Sequence, residues 1–260
     1  MDAMNIAIIA LATILGTAIG SFLNVCIDRL PRRESVVGGR SHCDSCKREL
    51  KPSEMIPIVS YIALRGRCAS CGAPIPVRVV LVETATAVLF GGLAGVLGIS
   101  PISGLLALYG CILIVVFVID LEHKLILNVV VYPSIVLAFV VALIMPPPWL
   151  GSVGPHPVAN AGLGAAIGFG LLFVIALVSR GMGWGDVKFA AFMGAATGLP
   201  LVLVALFVGV FVGGLVGIVL LVSGKKGRKQ AIPFGPFLAI GMMTTLLWGP
   251  GMLAWYLGLM

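Results

Sequence analysis

The chain has 260 residues, 60% of them hydrophobic and only 10% charged, with a formal net charge of +7. A soluble domain carries about 25% charged residues, so this composition excludes a water-soluble fold and requires a bilayer as solvent. The basic balance follows membrane topology rather than nucleic-acid binding, because the cations are confined to alternate loops.

Apolar runs of about 20 residues are long enough to span a bilayer. They occur near 5–27, 79–98, 101–120, 127–146, 159–179, 186–200, 201–223 and 232–257. The first run, Met4 to Val25, lacks a basic leader and a small-residue cleavage site, so it reads as a retained helix rather than a signal peptide. Residues 28–78 follow as a charged, cysteine-bearing insert, too short to build a large core of its own. It holds Cys43-x-x-Cys46 and Cys68-x-x-Cys71. A two-residue gap lets both thiolates of one turn reach a single tetrahedral ion, and two such turns make a four-thiolate structural zinc site. Four thiolates leave no open position for catalysis. His42 adjoins Cys43 and reads as an exposed side chain rather than a ligand. Cys26 and Cys111 have no partner motif and read as buried apolar residues.

Few acids fall within the spans: Glu83 near the start of the second, Asp120 at the end of the third and Asp186 at the start of the sixth. An aspartate at membrane depth costs about 2.5–3.5 kcal/mol on insertion scales, less near the interface, and marks a functional candidate. Asp120 closes a helix and Asp186 opens one, so the two carboxyls are expected to meet opposite ends of a helix dipole, with Asp186 capping free N–H groups. One neutral acid beside one carboxylate is how aspartic proteases activate water and protonate the leaving amine. Taken singly, Asp186 also fits a helix cap, Asp120 an interfacial residue beside Lys124, and Lys188 a snorkelling interfacial cation.

The loop 146–158 is rich in Pro and Gly and punctuates two spans. Gly16/Gly20, Gly91/Gly95, Gly164/Gly168 and Gly209/Gly213/Gly217 have the small-xxx-small spacing of close helix packing. Only Val187 to Leu199 separate Asp186 from Pro200, about 20 Å of helix against a core about 30 Å thick. The glycines of Gly181-Met182-Gly183-Trp184-Gly185 favour unwound backbone and predict a wet pocket at Asp186. With the N-terminus outside, all 17 Lys and Arg fall on inside segments: ten between Arg29 and Arg78, then Lys124, Arg180, Lys188, Lys225, Lys226, Arg228 and Lys229. Both aspartates then face the cytosol, and the reducing compartment argues against disulfides in the insert. The expected architecture is an all-α polytopic membrane protein of about eight transmembrane helices with a small cytosolic zinc-ribbon-like insert. Its parts are a first helix over 1–27, the insert over 28–78 and a membrane core over 79–260.

The segment Gly181-Met182-Gly183-Trp184-Gly185-Asp186-Val187-Lys188 resembles the signature of the type IV prepilin peptidases, a family of GxGD membrane aspartyl proteases. Ile119-Asp120-Leu121-Glu122-His123-Lys124 resembles the other half-site, with Leu127 standing where the family usually has Pro. Gly20 to Pro31, Glu54 to Tyr61, Leu64 to Cys68, Val80 to Glu83 and Ile232 to Ala239 are similar to the family's remaining segments. The resemblance implies that Asp120 and Asp186 are catalytic and that Cys43, Cys46, Cys68 and Cys71 bind zinc. It implies leader removal from prepilins or pseudopilins in a bacterial cytoplasmic (inner) membrane. S-adenosylmethionine-dependent N-methylation of the new N-terminus comes from the resemblance alone. The implied partners are the substrates and the bilayer, without nucleic acid, and a homo-oligomer is left open. The basic insert is a poor lure for a basic leader, so Asp28, Glu34, Asp44, Glu49, Glu54 or Glu83 must supply local acid. Two other readings stand beside this one: a zinc-dependent membrane transporter or channel, and a presenilin-like intramembrane protease without methyl transfer.

Overall fold

A computed structural model describes residues 3–152, 156–179, 182–223 and 233–258. Among the named positions, Gly154, Pro155, Arg180, Gly181, Lys225, Lys226, Arg228, Lys229 and Ile232 lie outside the described residues. The described residues form helices and loops, with two isolated β-bridges as the only extended pairing. The chain divides into two compact units, 1–115 and 116–260.

The first unit contains α1 (Ala3–Arg29), the short helix α2 (Val59–Ala63), α3 (Val77–Leu97) and most of α4 (Pro101–His123). Helices α1 and α3 pack backbone to backbone, and small residues are the reason. A Cβ on Gly16 would stand 2.6 Å from the Thr86 carbonyl oxygen and one on Gly20 2.7 Å from Glu83 Cα. Gly91 faces Thr13 in the same way. The expected glycine spacing therefore serves helix contact, which in lipid relies on close packing rather than on the hydrophobic effect.

Between α1 and α3 lies the insert. Its two Cys-x-x-Cys turns are copies of one another, offset by 25 residues. Cys43 N–H donates to the Arg48 carbonyl and Lys47 N–H to the Cys43 carbonyl. Cys68 N–H donates to Ala73 and Gly72 N–H to Cys68. Bridges His42–Glu49 and Arg67–Pro74 close both turns. Lys47 and Gly72, at the equivalent corner, both take a left-handed φ, 57° and 71°. Arg48 then joins Glu54 at 2.8 Å, and Glu54 also accepts the Lys51 N–H. The insert is tied to α3 by Glu83, a buried carboxylate that accepts the Ile58 N–H at 2.7 Å. Ile58 holds φ 61°, a costly conformation for a β-branched residue, directly at that bond.

The second unit contains the end of α4, α5 (Asn128–Ile144), α6 (Pro157–Ser179), α7 (Trp184–Thr197), α8 (Leu201–Val222) and α9 (Gly235–Gly258). Helix α7 is its core: Val187, Phe189, Ala190, Phe192, Met193 and Ala195 are all fully buried. Gly164 and Gly168 of α6 let the backbones meet: a Cβ on Gly164 would stand 2.9 Å from Cα of Gly198, the C-cap of α7, and one on Gly168 would meet the Ala190 carbonyl. Gly209 of α8 faces the Phe237 carbonyl of α9. Asn160 ties one end of α6 to the chain after α7, donating to the Leu150 carbonyl and accepting the Leu199 N–H at 2.7 Å.

Six helices are long and apolar enough to cross a membrane: α1, α3, α4, α6, α8 and α9. Helix α5 is apolar but shorter, at 17 residues, and α7 has only 14. The protein is thus an all-α polytopic membrane protein of eight main helices, and the short sixth span expected from sequence is the short helix α7. A 14-residue helix covers about 21 Å. It can be that short because its sides are covered by protein rather than lipid.

A carboxylate pair and a four-thiolate cluster

The second unit brings the two aspartates together through one small group of residues. Asp120, three residues before the end of α4, is 5% exposed. Its Oδ2 accepts the N–H of Gly235, the first residue of α9, at 2.9 Å. The opening N–H groups of a helix have no partner within it, so an incoming carboxylate is stabilised there by hydrogen bond and dipole together. This corrects the sequence expectation for Asp120. It ends α4, but its carboxylate meets the positive end of α9.

Asp186 lies in the first turn of α7 and is 8% exposed. The helix begins two residues earlier than expected, with Gly183 as its N-cap and no side-chain cap hydrogen bond. Asp186 is therefore not the cap, and its carboxyl is buried against Gly183. A Cβ on Gly183 would stand 3.3 Å from Asp186 Oδ2.

Ile126 joins the two halves. It follows α4, and its Cβ would lie 2.8 Å from a Cβ on Gly185, next to Asp186. Its Cδ1 would lie 3.0 Å from a Cβ on Gly235. One side chain, Ile126, thus lies against the glycines that adjoin both carboxyls. A buried pair of interacting carboxyls can divide acid and base duties between them. Lys188 points away from this group: its Nζ reaches Asn128 Oδ1 at 3.1 Å and sits 5.4 Å from the Tyr132 ring centroid. Sequence reasoning had placed Gly235 in a family-like segment without a role. Its contact is with a residue 115 positions away, and a helix start that must admit a carboxylate is the only local signal.

In the first unit, Cys43, Cys46, Cys68 and Cys71 converge, with their sulfur atoms all within 4.8 Å of one another. Cys43 Sγ and Cys71 Sγ are 3.8 Å apart. A tetrahedral ion with about 2.3 Å metal–sulfur bonds needs edges of about 3.8 Å, so the four residues fit one. Backbone N–H groups of Cys46 and Ser45 favour the Cys43 thiolate, and those of Cys71 and Ser70 bring Cys68 down to about 6. His42 stays outside the cluster, exposed, beside the Arg40 carbonyl.

Residues 14–96 match the Bacterial Peptidase A24 N-terminal domain, and residues 107–218 match the Type IV leader peptidase family. A prepilin leader peptidase/N-methyltransferase of Pseudomonas aeruginosa is 32% identical over 97% of this chain and 94% of its own length. The chain belongs to the type IV leader peptidase family. A protein of the same name from Bacillus subtilis is 33% identical over 94% of this chain and 96% of its own length. That from Stutzerimonas stutzeri is 32% identical over 97% and 94%. No solved structure matches the chain. Membership in a peptidase family replaces the transporter or channel reading and makes the chain a multi-pass enzyme of the inner membrane. The cysteine cluster and the cavity described below fall in the first matched region, the two aspartates in the second.

The Asp120–Gly235 contact generates a sharp expectation for this leader peptidase. A Cβ at position 235 would stand 2.8 Å from Asp120 Oδ2, closer than real Cβ atoms come. Gly235→Ala should lower peptidase activity at least tenfold while costing about 1–3 kcal/mol of stability or less. Activity and thermal unfolding measured on the same preparation check it; unchanged activity would mean that Asp120 needs no fixed position.

Proposed function

We propose that this chain cleaves the leader from type IV prepilins or pilin-like proteins at the cytosolic membrane face, using Asp120 and Asp186, and then N-methylates the new N-terminal residue. The observation that carries the reading is the meeting of two buried carboxyls at the starts of α9 and α7, inside the region matched by the leader peptidase family. The orientation, N-terminus outside and insert cytosolic, draws its support from the one-sided distribution of Lys and Arg.

In this mechanism a water molecule is held between the carboxyls. One carboxylate takes a proton as the water oxygen bonds to the scissile carbonyl carbon, while the protonated partner supports the carbonyl oxygen. The C–N bond then breaks as a proton passes to the leaving amine. The two groups titrate as a pair, so acid and base belong to the pair rather than to either residue. Hydrogen bonding of Asp120 to Gly235 and packing of both starts on Ile126 hold the geometry, the supporting role that precise sites need. S-adenosylmethionine, implied by resemblance, would supply the methyl group carried to the freed amine.

Zinc is the metal proposed for Cys43, Cys46, Cys68 and Cys71. A closed four-thiolate site is structural, and binding energy there is folding energy for an insert with little core. On this reading the chain comprises a first helix over 1–27, a metal-held insert over 28–78 and a catalytic core over 79–260.

Two measurements check these assignments. Mass spectrometry of a prepilin incubated with the purified chain should show leader loss, with a methyl group added only when the donor is supplied. Asp120→Asn and Asp186→Asn should each reduce cleavage by at least about 10²–10⁴-fold while the protein remains inserted; full cleavage by either variant contradicts the pair. Metal analysis should find about one zinc per chain, lost on acidification as protons compete for the thiolates, and reduced strongly in Cys68→Ser. A metal-free chain with oxidised cysteines would reverse both the zinc assignment and the cytosolic placement.

A further inference from the structure

Within the first unit, a cavity of about 260 Å³ opens between the end of α1, the start of α3 and the insert. Its polar wall combines carboxylates with Ser21, Ser60, Tyr61, His42 and Arg78, and it holds one buried acceptor left unsatisfied. Asn24, on α1, is 6% exposed, and its Nδ2 donates to the Val79 carbonyl at 3.0 Å. That bond fixes which end of the amide is which, since a carbonyl can only accept. Asn24 Oδ1 is left buried with no hydrogen-bond partner. A buried acceptor without a donor costs about 1–3 kcal/mol, so its place in a cavity wall needs an explanation.

Around it the wall carries Asp28, Glu83, Glu54 and Asp44. Glu54 is engaged by Arg48 and the Lys51 N–H, so it is already satisfied. Glu83 spends one oxygen on Ile58, and Asp28 spends one on Arg78 at 2.6 Å. Arg78 is the one Lys or Arg among the residues lining the cavity, and it is joined to Asp28. With Glu54 taken by Arg48 and Asp28 by Arg78, Glu83 and Asp44 leave the wall net negative, which repels an anion. Val25, Leu64, Ile75 and Val79 give it an aliphatic part. The volume is below that of a drug-sized site, about 300–1,000 Å³, and matches a long side chain or a small metabolite.

We propose that this cavity binds an organic cation, an ammonium or guanidinium on an aliphatic stem, with the head donating to Asn24 Oδ1 and to the Asp28 carboxylate. The same chemistry has two sources. One is a lysine or arginine of the substrate leader, a case that rests on the prepilin peptidase reading. The other is a small free alkylammonium metabolite such as a diamine. Binding at this site resolves the difficulty posed by a basic insert: the acid that a basic leader needs is gathered in one pocket rather than spread over the surface.

The test uses the full chain in lipid nanodiscs and calorimetric binding of three probes. These are a prepilin leader peptide containing lysine, the same peptide with norleucine for lysine, and the free diamine cadaverine. Asp28→Asn keeps the side-chain shape and removes charge. It should weaken a cationic probe about tenfold or more, as loss of a hydrogen bond to a charged group does, and leave the norleucine peptide unaffected. Asn24→Asp adds charge at the orphan acceptor and should tighten the same probe, a gain that a misfolded variant could not give. Loss confined to the lysine peptide assigns the cavity to the leader; loss confined to cadaverine assigns it to the small molecule. Equal affinity of every probe for wild type and both variants overturns the proposal and leaves a cavity that holds water only. Cleavage of the norleucine peptide, followed in parallel, reports on the peptidase reading independently of the cavity.

Discussion

A helix that starts inside a membrane protein exposes N–H groups that neither lipid nor the helix itself can satisfy. Helix α9 meets this constraint by taking a carboxylate oxygen of Asp120 onto the N–H of Gly235. Much of the second unit depends on that bond. It draws the end of α4 to the start of α9, and it requires a residue without a Cβ at 235. Ile126 then fills the space beside Gly235 and also covers Gly185, so the start of α7 is set by the same contact. Asp186 reaches its buried place because this packing fixes the first turn of α7.

The first unit solves a different problem. Residues 28–78 are polar, short and rich in loops, and a small core cannot hold such a segment. The chain instead repeats one hydrogen-bonded turn twice, placing two cysteines in each copy. Backbone N–H groups aimed at Cys43 and Cys68 favour their thiolates before any metal arrives. Glu83 carries the order of the insert into α3 through Ile58. The acid-bearing cavity arises at this joint, since α1, α3 and the insert leave polar ends facing one space.

Much of this was legible in the sequence because lipid imposes a simple pattern. Apolar runs gave all eight main helices to within a few residues, and the length between Asp186 and Pro200 foretold the short α7. Glycine spacing foretold which faces of α1, α3, α6 and α8 would pack. The two Cys-x-x-Cys turns foretold the convergence of four sulfurs. The environment of each carboxyl was not legible. Helix polarity along the chain suggested that Asp120 sits at an unfavourable dipole end, yet the relevant dipole belongs to α9, 115 residues further on. Asp186 reads as a cap because it stands where the apolar run of the helix opens, whereas Gly183 takes that position. Nor could the pattern reveal the cavity, which depends on three segments meeting and on one unpaired amide oxygen.

The central claim is that Asp120 and Asp186 perform one chemical task as a unit. A double-mutant cycle in kcat/KM tests it most directly, comparing Asp120→Asn, Asp186→Asn and the combined variant on one prepilin substrate. Residues that act as a unit are strongly non-additive. The account predicts that the combined variant is no slower than the slower single variant. Losses that multiply, with the double variant slower by the product of the two single effects, would contradict it.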